Sequence, residues 1–282
     1  MAIVYTLEIE TRLQERLDAP KVWKEILDVE YTNTGILKNP YLTDAVQATG
    51  ARGTGYISTA VATVDDSVSI TEYVYSAAHI DDADLAQKTF SDWMFVAENM
   101  AEILDEGMET AMLAEHAAWT DFTNVSIGGT GTGITVSVSN VKNIITGMKR
   151  QIRIAKGGKM AAKNGMFILW READFELVEQ MASSEGYNTA DDVLKNGIKQ
   201  GFNYMGVEHY SSVFHTALHV FGGVKKSMKV GIVKSTYGRM KEIVNPVVGG
   251  AQISGIGLET RIDRKFKVWT KMLPIVFDIN VV

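Results

Sequence analysis

The sequence contains no cysteine, only 4 prolines and no long hydrophobic run. Without cysteine the chain forms no disulfide, no thiolate nucleophile and no cysteine-ligated zinc site, and it suits a reducing cytosol. The longest strongly apolar run, residues 166–170, is far shorter than the about 20 residues that a bilayer-spanning helix needs. The N-terminal segment lacks the basic start and apolar core of a signal peptide. We therefore expect an unprocessed chain with no membrane partner.

What the chain does contain is typical of an ordered globular protein. Of its 282 residues, 46% are hydrophobic and 22% are charged, which excludes disorder and suffices for one large domain or two smaller ones. With 28 basic and 34 acidic residues the net charge is −6, which does not indicate a dedicated nucleic-acid-binding protein. No repeat or proline-rich linker marks a domain boundary, so any subdomains are expected to be interleaved.

Strands are predicted in the first and last thirds of the chain. Residues 41–80 are rich in Thr, Val, Ser and Tyr and are interrupted by glycines, a pattern typical of strands joined by turns. Residues 166–170 predict a short buried strand. From Val207 onward, β-branched and aromatic residues predict several more strands, with a turn at Gly222 and Gly223. Helices are predicted where apolar residues recur every three to four positions, at 20–27, 82–118, 140–156, 172–182 and 189–201. The fold class is therefore α+β.

The predicted helix at 82–118 is unusually long. At 1.5 Å per residue it would span about 55 Å, whereas a compact chain of this size has a diameter of about 50 Å. It therefore predicts a flat, elongated molecule with this helix as a spine. Its polar side is predicted to include Glu102, Asp105 and Glu109.

The motifs that carry catalysis or cofactor binding are missing. The loops GARGTG at 50–55 and GGTGTG at 128–133 lack the GK[ST] ending of a phosphate-binding loop, and we interpret them as flexible loops. His215 and His219 are four residues apart, but this segment is predicted to be extended, where that spacing does not bring two ligands to one metal. There is no GxSxG nucleophile motif. We expect no catalytic residue, no cofactor and no metal.

Charge is segregated along the chain. Residues 81–116 carry ten acids and one base, residues 140–163 carry seven bases and no acid, and residues 224–241 carry six bases and no acid. Two interpretations remain open: these are solvated faces, or opposite charges dock subunits or faces on one another. Loose, sequence-independent attraction of the bases to DNA is a further option.

The order of the predicted elements resembles a known family. An N-terminal arm, a glycine-tipped hairpin, a strand running into HIDDADLAQ at 79–87, a long acidic helix, a mixed middle section and a C-terminal strand with RIDRKFKVW at 261–269 follow one another. This order is similar to that of the major capsid proteins of tailed phages, with the Hong Kong 97-type fold. The resemblance covers nearly the whole chain but rests on architecture and not on an invariant motif.

The resemblance implies five regions. These are an N-terminal arm at 1–32, an extended hairpin loop at 33–66, a peripheral domain at 67–163 with the spine helix, an axial domain at 164–250, and C-terminal strands at 251–282 that return to the peripheral domain. A hairpin with little apolar mass has no core of its own, so it is expected to lie on a neighbouring subunit. Arg52, Thr54 and Tyr56 at its tip are the predicted inter-subunit contacts.

Two departures from the family pattern affect what is expected. Some members crosslink subunits through a lysine in the extended loop, but no lysine lies between Lys38 and Lys88, so noncovalent contacts are expected to hold the shell. The short arm leaves no room for a large fused scaffolding segment, so a separate scaffolding protein is expected.

The resemblance implies a major capsid protein that self-assembles into hexamers and pentamers of an icosahedral phage head around double-stranded DNA. Its expected partners are further copies of itself, a portal, a scaffolding protein, a decoration protein and non-specifically packaged DNA. It would be assembled in the host cytoplasm and found in the virion capsid. Two alternatives stay open: an encapsulin-type nanocompartment shell, and an enzyme with a site that the sequence does not reveal.

Overall fold

A computed structural model describes most of the chain. The described residues are 21–45, 49–50, 52–53, 55, 58, 60–81, 90–115, 120–121, 134–185, 201–215, 219–244, 246–248, 250–252 and 255–280. The helices in this part are α1 (Trp23–Ile26), α2 (Phe90–Ala114), α3 (Val141–Ile154), α4 (Gly158–Asn164) and α5 (Glu172–Ser184). None of them is both long and apolar enough to cross a membrane.

The strands follow in chain order. They are β1 (Asp28–Thr32), β2 (Ile36–Lys38), β3 (Tyr41–Leu42), β4 (Thr63–Val64), β5 (Ser67–Ser69), β6 (Glu72–Asp81), β7 (Thr120–Asp121), β8 (Met166–Arg171), β9 (Gly201–Tyr204), β10 (Val207–Ser212), β11 (His219–Val224), β12 (Met228–Val233), β13 (Met240–Val244), β14 (Val247–Val248), β15 (Ala251–Gln252), β16 (Gly255–Val268) and β17 (Val276–Asn280). Helices and strands alternate irregularly, as expected for the α+β class.

The long strand β16 organises a five-stranded sheet. It pairs antiparallel with β6 along one edge and with β12 and β13 along the other, and β1 pairs parallel with β12. Residues Gly255–Val268, in the region where several strands were predicted, form one continuous strand. Helix α2 packs against β6 and β16.

A second sheet has six strands in the order β7-β17-β11-β8-β10-β9. Its central strand β8 confirms the strand predicted at residues 166–170. Because successive side chains of a strand point to opposite faces, β8 contributes to two cores. Phe167 and Leu169 join the core formed with α1, α2 and the five-stranded sheet, while Ile168 and Trp170 join the core formed with α3 and α5.

Helix α2 confirms the central part of the predicted spine. It covers 90–114, about 37 Å at the standard rise, and the predicted residues 82–89 and 116–118 lie outside the described part. One glycine lets it approach the sheet closely, since a Cβ on Gly107 would lie 2.5 Å from Cγ1 of Val74. The prediction that Glu109 lies on the polar side of this helix is wrong, because the residue is completely buried.

Helices α3 and α5 agree with their periodicity, whereas α4 was not predicted. Helix α3 ends two residues before the predicted Lys156, and α5 runs two residues past the predicted Ala182. Most of the helix predicted at 189–201 lies outside the described residues, and its last residue, Gly201, begins strand β9.

The turn predicted at Gly222 and Gly223 is wrong, because both residues lie inside strand β11. Their small size serves close packing. A Cβ on Gly222 would lie 2.8 Å from Sδ of Met148, and one on Gly223, where φ is 156°, would lie 2.5 Å from the carbonyl oxygen of Ile275.

Strand pairing crosses the regions implied by the resemblance. Strands β12 and β13, from the region 164–250, pair with β16, and β17, from the region 251–282, pairs with β11 in the other sheet. The C-terminal region therefore contributes to both sheets, and the five boundaries stay predictions.

Candidate functional site

The extended hairpin begins as two short antiparallel ladders. Strand β2 pairs with β5, and further out β3 pairs with β4. Beyond them the N–H of Thr43 donates to the carbonyl of Ala62 at 2.9 Å, and the N–H of Ala62 donates to Oγ1 of Thr43 at 2.9 Å. Residues 44–61, which we call the outer hairpin, connect these two residues, and the described part of this segment includes a turn at Arg52 and Gly53.

The two-stranded ribbon of the hairpin, formed by β2 to β5, buries side chains at its base and exposes apolar side chains to solvent further out. Leu37 at the base is completely buried, whereas Ile36, Leu42 and Val61 are 40%, 59% and 47% exposed. An isolated two-stranded ribbon is at best marginally stable in water, because it buries little apolar surface. The exposed apolar side chains therefore suit a ribbon that lies on another molecule.

Charged residues of the C-terminal segment hold the base of the hairpin. The Asp66 carboxylate accepts the N–H of Thr270 at 2.9 Å and lies 3.3 Å from Nζ of Lys267. Burial raises the pKa of Asp66, but these two partners together outweigh it and leave the pKa below its usual value. Nζ of Lys271 donates to Oδ1 of Asp44 at 2.7 Å. The ribbon therefore leaves the body of the protein in a defined direction.

Of the three predicted contact residues, the structure describes one. Arg52 is exposed in a turn with Gly53, whose φ is 94°, and it makes no ion pair with another described residue. Thr54 and Tyr56 lie outside the described residues. The inter-subunit role of all three stays a prediction.

Glu109 joins the spine helix to the end of the arm, which sequence reasoning missed. Its Oε2 accepts the N–H groups of Trp23 at 2.9 Å and Val22 at 3.2 Å, the first donors of α1. Burial raises the pKa of Glu109 although these hydrogen bonds and Ser212 favour the charged form. An acid on the polar side of an amphipathic pattern carries no signal of such burial, because its partners are more than 85 residues away.

Two of the six bases in the run at 224–241 are used inside the fold. Lys225 is buried and bonds to the carboxylate of Glu208 and the hydroxyl of Tyr210. Lys229 pairs with Glu30 at 2.7 Å and with Asp28 at 3.2 Å. Neither lysine is part of a solvated basic face.

The histidines form no metal centre in the described part of the chain. His215 is buried with its ring 4.8 Å from that of Phe221, and Nδ1 of His219 lies 3.0 Å from Oδ1 of Asp278. Among the described residues, no three His, Asp or Glu side chains converge as metal ligands.

Comparisons of sequence find no relative of this chain, whereas comparisons of structure do. No sequence-family model matches the chain, and no curated protein matches it in sequence. Several solved structures match the chain in fold. A chain from mycobacterium phage Che8 has a TM-score of 0.67 at 12% identity, with 94% of this chain and 93% of that chain covered. The capsid of cyanophage P-SCSP1u has a TM-score of 0.57 at 12% identity, with 98% and 93% covered. The chain has the phage-capsid fold.

The capsid fold accounts for the whole chain and not for one domain of it. It confirms the α+β class and the Hong Kong 97-like architecture that the order of elements predicted. A virus-like particle from Pyrococcus furiosus has a TM-score of 0.53 at 9% identity, with 93% of this chain and 92% of that chain covered. The TM-scores of the two phage structures, 0.67 and 0.57, are therefore higher than that of the virus-like particle.

Proposed function

We propose that this protein is the major capsid protein of a tailed phage and that it self-assembles into an icosahedral head. The observation that carries the proposal is that phage-capsid structures match more than nine-tenths of the chain. The hairpin supports the proposal independently, because a neighbouring subunit could bury its exposed apolar side chains.

The mechanism is geometrical. Each contact between copies can be weak, because many contacts per subunit accumulate in a closed shell. In this proposal the axial region at 164–250 meets its copies around the axes of hexamers and pentamers. The arm and the hairpin tie neighbouring subunits together, with Arg52, Thr54 and Tyr56 at the reaching tip. A flat subunit of this kind would enclose double-stranded DNA.

The remaining partners follow from the same proposal. A portal, a separate scaffolding protein and a decoration protein would bind the shell, and assembly would take place in the host cytoplasm. Bases on the inner surface of the shell would attract packaged DNA without reading its sequence.

A nanocompartment shell is the second candidate. The similarity to the Pyrococcus furiosus virus-like particle supports it, at a lower TM-score than the phage structures. Such a shell would package an enzyme as cargo in place of DNA, so the contents of purified particles distinguish the two.

An enzyme is the alternative of a different class. It requires a pocket with converging polar groups. A cavity of about 370 Å³ beside α3 is lined by two cations and otherwise by apolar side chains and glycine. A second cavity, of about 270 Å³, is lined by Glu259 and by the polar and basic side chains of Ser235, Thr236, Arg239, Lys241 and Arg261. Neither has a nucleophile beside a histidine.

Negative-stain electron microscopy of the purified protein tests the proposal. We expect closed shells, or rings of five and six, after a salt jump or crowding treatment and with co-expressed scaffolding protein. Shells with nuclease-protected DNA from infected cells would support the phage head, and shells with a protein cargo would support the nanocompartment. A small discrete particle in every one of these conditions would contradict both.

A further inference from the structure

A cationic patch covers the outer side of α3 and α4. Its members are exposed bases that form no ion pair with any described residue: Arg150, Arg153, Lys156, Lys159 and Lys163. The other two bases of these helices are engaged within the chain. Lys142 pairs with Glu185 at 3.2 Å, and Nζ of Lys149 donates to the carbonyl of Met205. Lys156 also interacts electrostatically with Asp44, whose carboxylate pairs with Lys271. Exposed charges of one sign repel one another unless anions lie opposite them.

The patch includes a concave site. The cavity of about 370 Å³ is lined by Lys149 and Arg153 and by apolar atoms of Ile152, Ala162 and Met166. A shallow cavity with cations beside an apolar floor fits carboxylates that project from an amphipathic helix. A flat, fully solvated basic face would not provide this shape.

An acidic stripe lies on α5. Glu172, Glu176 and Glu179 are spaced four and three residues apart, which places them on one side of the helix. Glu172 and Glu176 are exposed, and Nε2 of Gln180 donates to Oε1 of Glu176 at 3.2 Å. No described cation pairs with any of the three. Burial, together with the neighbouring Glu172 and Glu176, raises the pKa of Glu179.

The other acids near α5 do have cationic partners. Asp174 pairs with Arg171 at 2.6 Å, and Glu185 pairs with Lys142. Described cations thus neutralise the acids that face inward or toward α3, and none of them pairs with the stripe.

Strand β8 separates the two surfaces. Met166, its first residue, lines the cationic cavity, and Glu172 follows directly after its last residue, Arg171. Six residues of strand span about 17 Å. The acidic stripe starts at one end of this span and the cationic cavity lies at the other.

We propose that the acidic stripe of α5 in one copy binds the cationic patch of α3 and α4 in the next copy, head to tail around the capsomer ring. The inference rests on the proposed capsid function and names one contact within it. Two different complementary surfaces on one chain form a heterologous contact, and heterologous contacts close into rings when the rotation permits. The charges would also set the orientation in which copies meet.

Paired charge reversals test the contact. The cationic-patch variant is Arg150→Glu with Arg153→Glu and Lys159→Glu, which turns the patch net negative, and the acidic-stripe variant is Glu172→Lys with Glu176→Lys, which turns the stripe net positive. We expect each to lower the fraction of chain in rings and shells about tenfold, because like charges then face each other. The chain that carries all five changes should assemble to the wild-type extent. Lys234→Glu with Arg239→Glu and Lys241→Glu reverses three exposed bases at and beside β13 of the five-stranded sheet, is the matched control and should assemble normally.

Mixing the two single-sided variants tests the head-to-tail arrangement. One variant is acidic on both surfaces and the other is basic on both, so they can only alternate. An equimolar mixture should therefore form rings of six but no rings of five and no closed shells in electron micrographs. A mixture that stops at dimers in sedimentation velocity would overturn the head-to-tail arrangement.

The failure of this contact is distinguishable from the failure of the capsid proposal. If wild type and control assemble and both single-sided variants also assemble normally, the contact is wrong and the capsid function stands. The contact is also wrong if the five-change chain stays unassembled, or if the cationic-patch variant forms normal shells and loses only bound DNA. If wild type forms no rings or shells under any condition tested, the capsid proposal itself is contradicted. Circular dichroism and thermal unfolding must show that each variant folds.

Discussion

At the residue scale, His209 lies completely buried beside Trp170. Its Nδ1 accepts the indole N–H of Trp170 at 3.0 Å, so the ring proton must sit on Nε2, which lies 3.3 Å from the carbonyl oxygen of Tyr204. The fold thus selects one neutral tautomer. Burial lowers the pKa of His209 to about 4.

We expect His209 to make the protein less stable in acid. The unfolded histidine takes up a proton below about pH 6.5, while the folded one stays neutral until about pH 4. Stability is therefore lost as the pH falls through this window, by about 3 kcal/mol in all. Urea unfolding at pH 7 and pH 4.5 measures it. His209→Gln should show a smaller loss of stability between these pH values, and an equal loss would contradict the assignment.

Glu109 allows a second test at the same scale. Glu109→Ala removes the acceptor for two buried N–H groups of α1, so we expect a loss of about 2–4 kcal/mol in the free energy of unfolding. Glu109→Gln keeps a carbonyl acceptor and no longer buries an ionisable group, so its stability should stay close to that of wild type. Chemical denaturation of the three chains measures the difference. Equal losses in both variants would show that the hydrogen bonds to Val22 and Trp23 do not matter.

At the scale of elements, the hairpin depends on its surroundings more than the helices do. The α2 helix buries Leu104, Met108 and Met112 against the body of the protein. The outer ribbon leaves Leu42 and Val61 about half exposed. A segment with so little buried surface opens at low free-energy cost in the isolated chain.

Trypsin distinguishes a covered hairpin from an uncovered one. Arg52 is the single basic residue between Lys38 and Lys88, so cleavage within the outer hairpin reports on one peptide bond. We expect rapid cleavage after Arg52 in the unassembled chain and strong protection in assembled shells, measured by mass spectrometry of the fragments. Equal rates in both states would show that no neighbour covers the tip.

At the scale of the whole molecule, assembly should respond to the hairpin tip while folding does not. Arg52 is exposed and unpaired among the described residues, so Arg52→Glu should leave the thermal unfolding of the single chain unchanged. The same change should impair shell formation, because it reverses the charge at the predicted contact. Electron microscopy and sedimentation velocity measure the fraction of chain that assembles. Normal particles from this variant would remove Arg52 from the interface.

The shell should also be held together without covalent bonds. No lysine lies between Lys38 and Lys88, and there is no cysteine anywhere in the chain. Assembled particles boiled in SDS should therefore run as single chains of 31.0 kDa. A ladder of multimers on the gel would contradict this expectation.

Local patterns predicted several elements correctly because those elements depend on neighbours in sequence. The 3.6-residue period of apolar side chains places α3 and α5 within two residues of their observed ends. The run of large apolar residues at 166–170 likewise marks the buried strand β8. Of the candidate contacts, Arg52 lies in a turn with Gly53, and its place in an inter-subunit contact, which the resemblance implied, stays a prediction.

The sequence by itself determined the composition class, the helices and strands with a strong period, the order of elements that resembles a capsid protein, and the segregation of charge. Only the tertiary structure decided which strands pair, because β1 and β12 are about 200 residues apart in sequence and no local pattern in either strand specifies its partner. It also decided that Glu109 is buried and that Gly222 and Gly223 lie within a strand. Those outcomes depend on atoms that come together only when distant segments fold against each other.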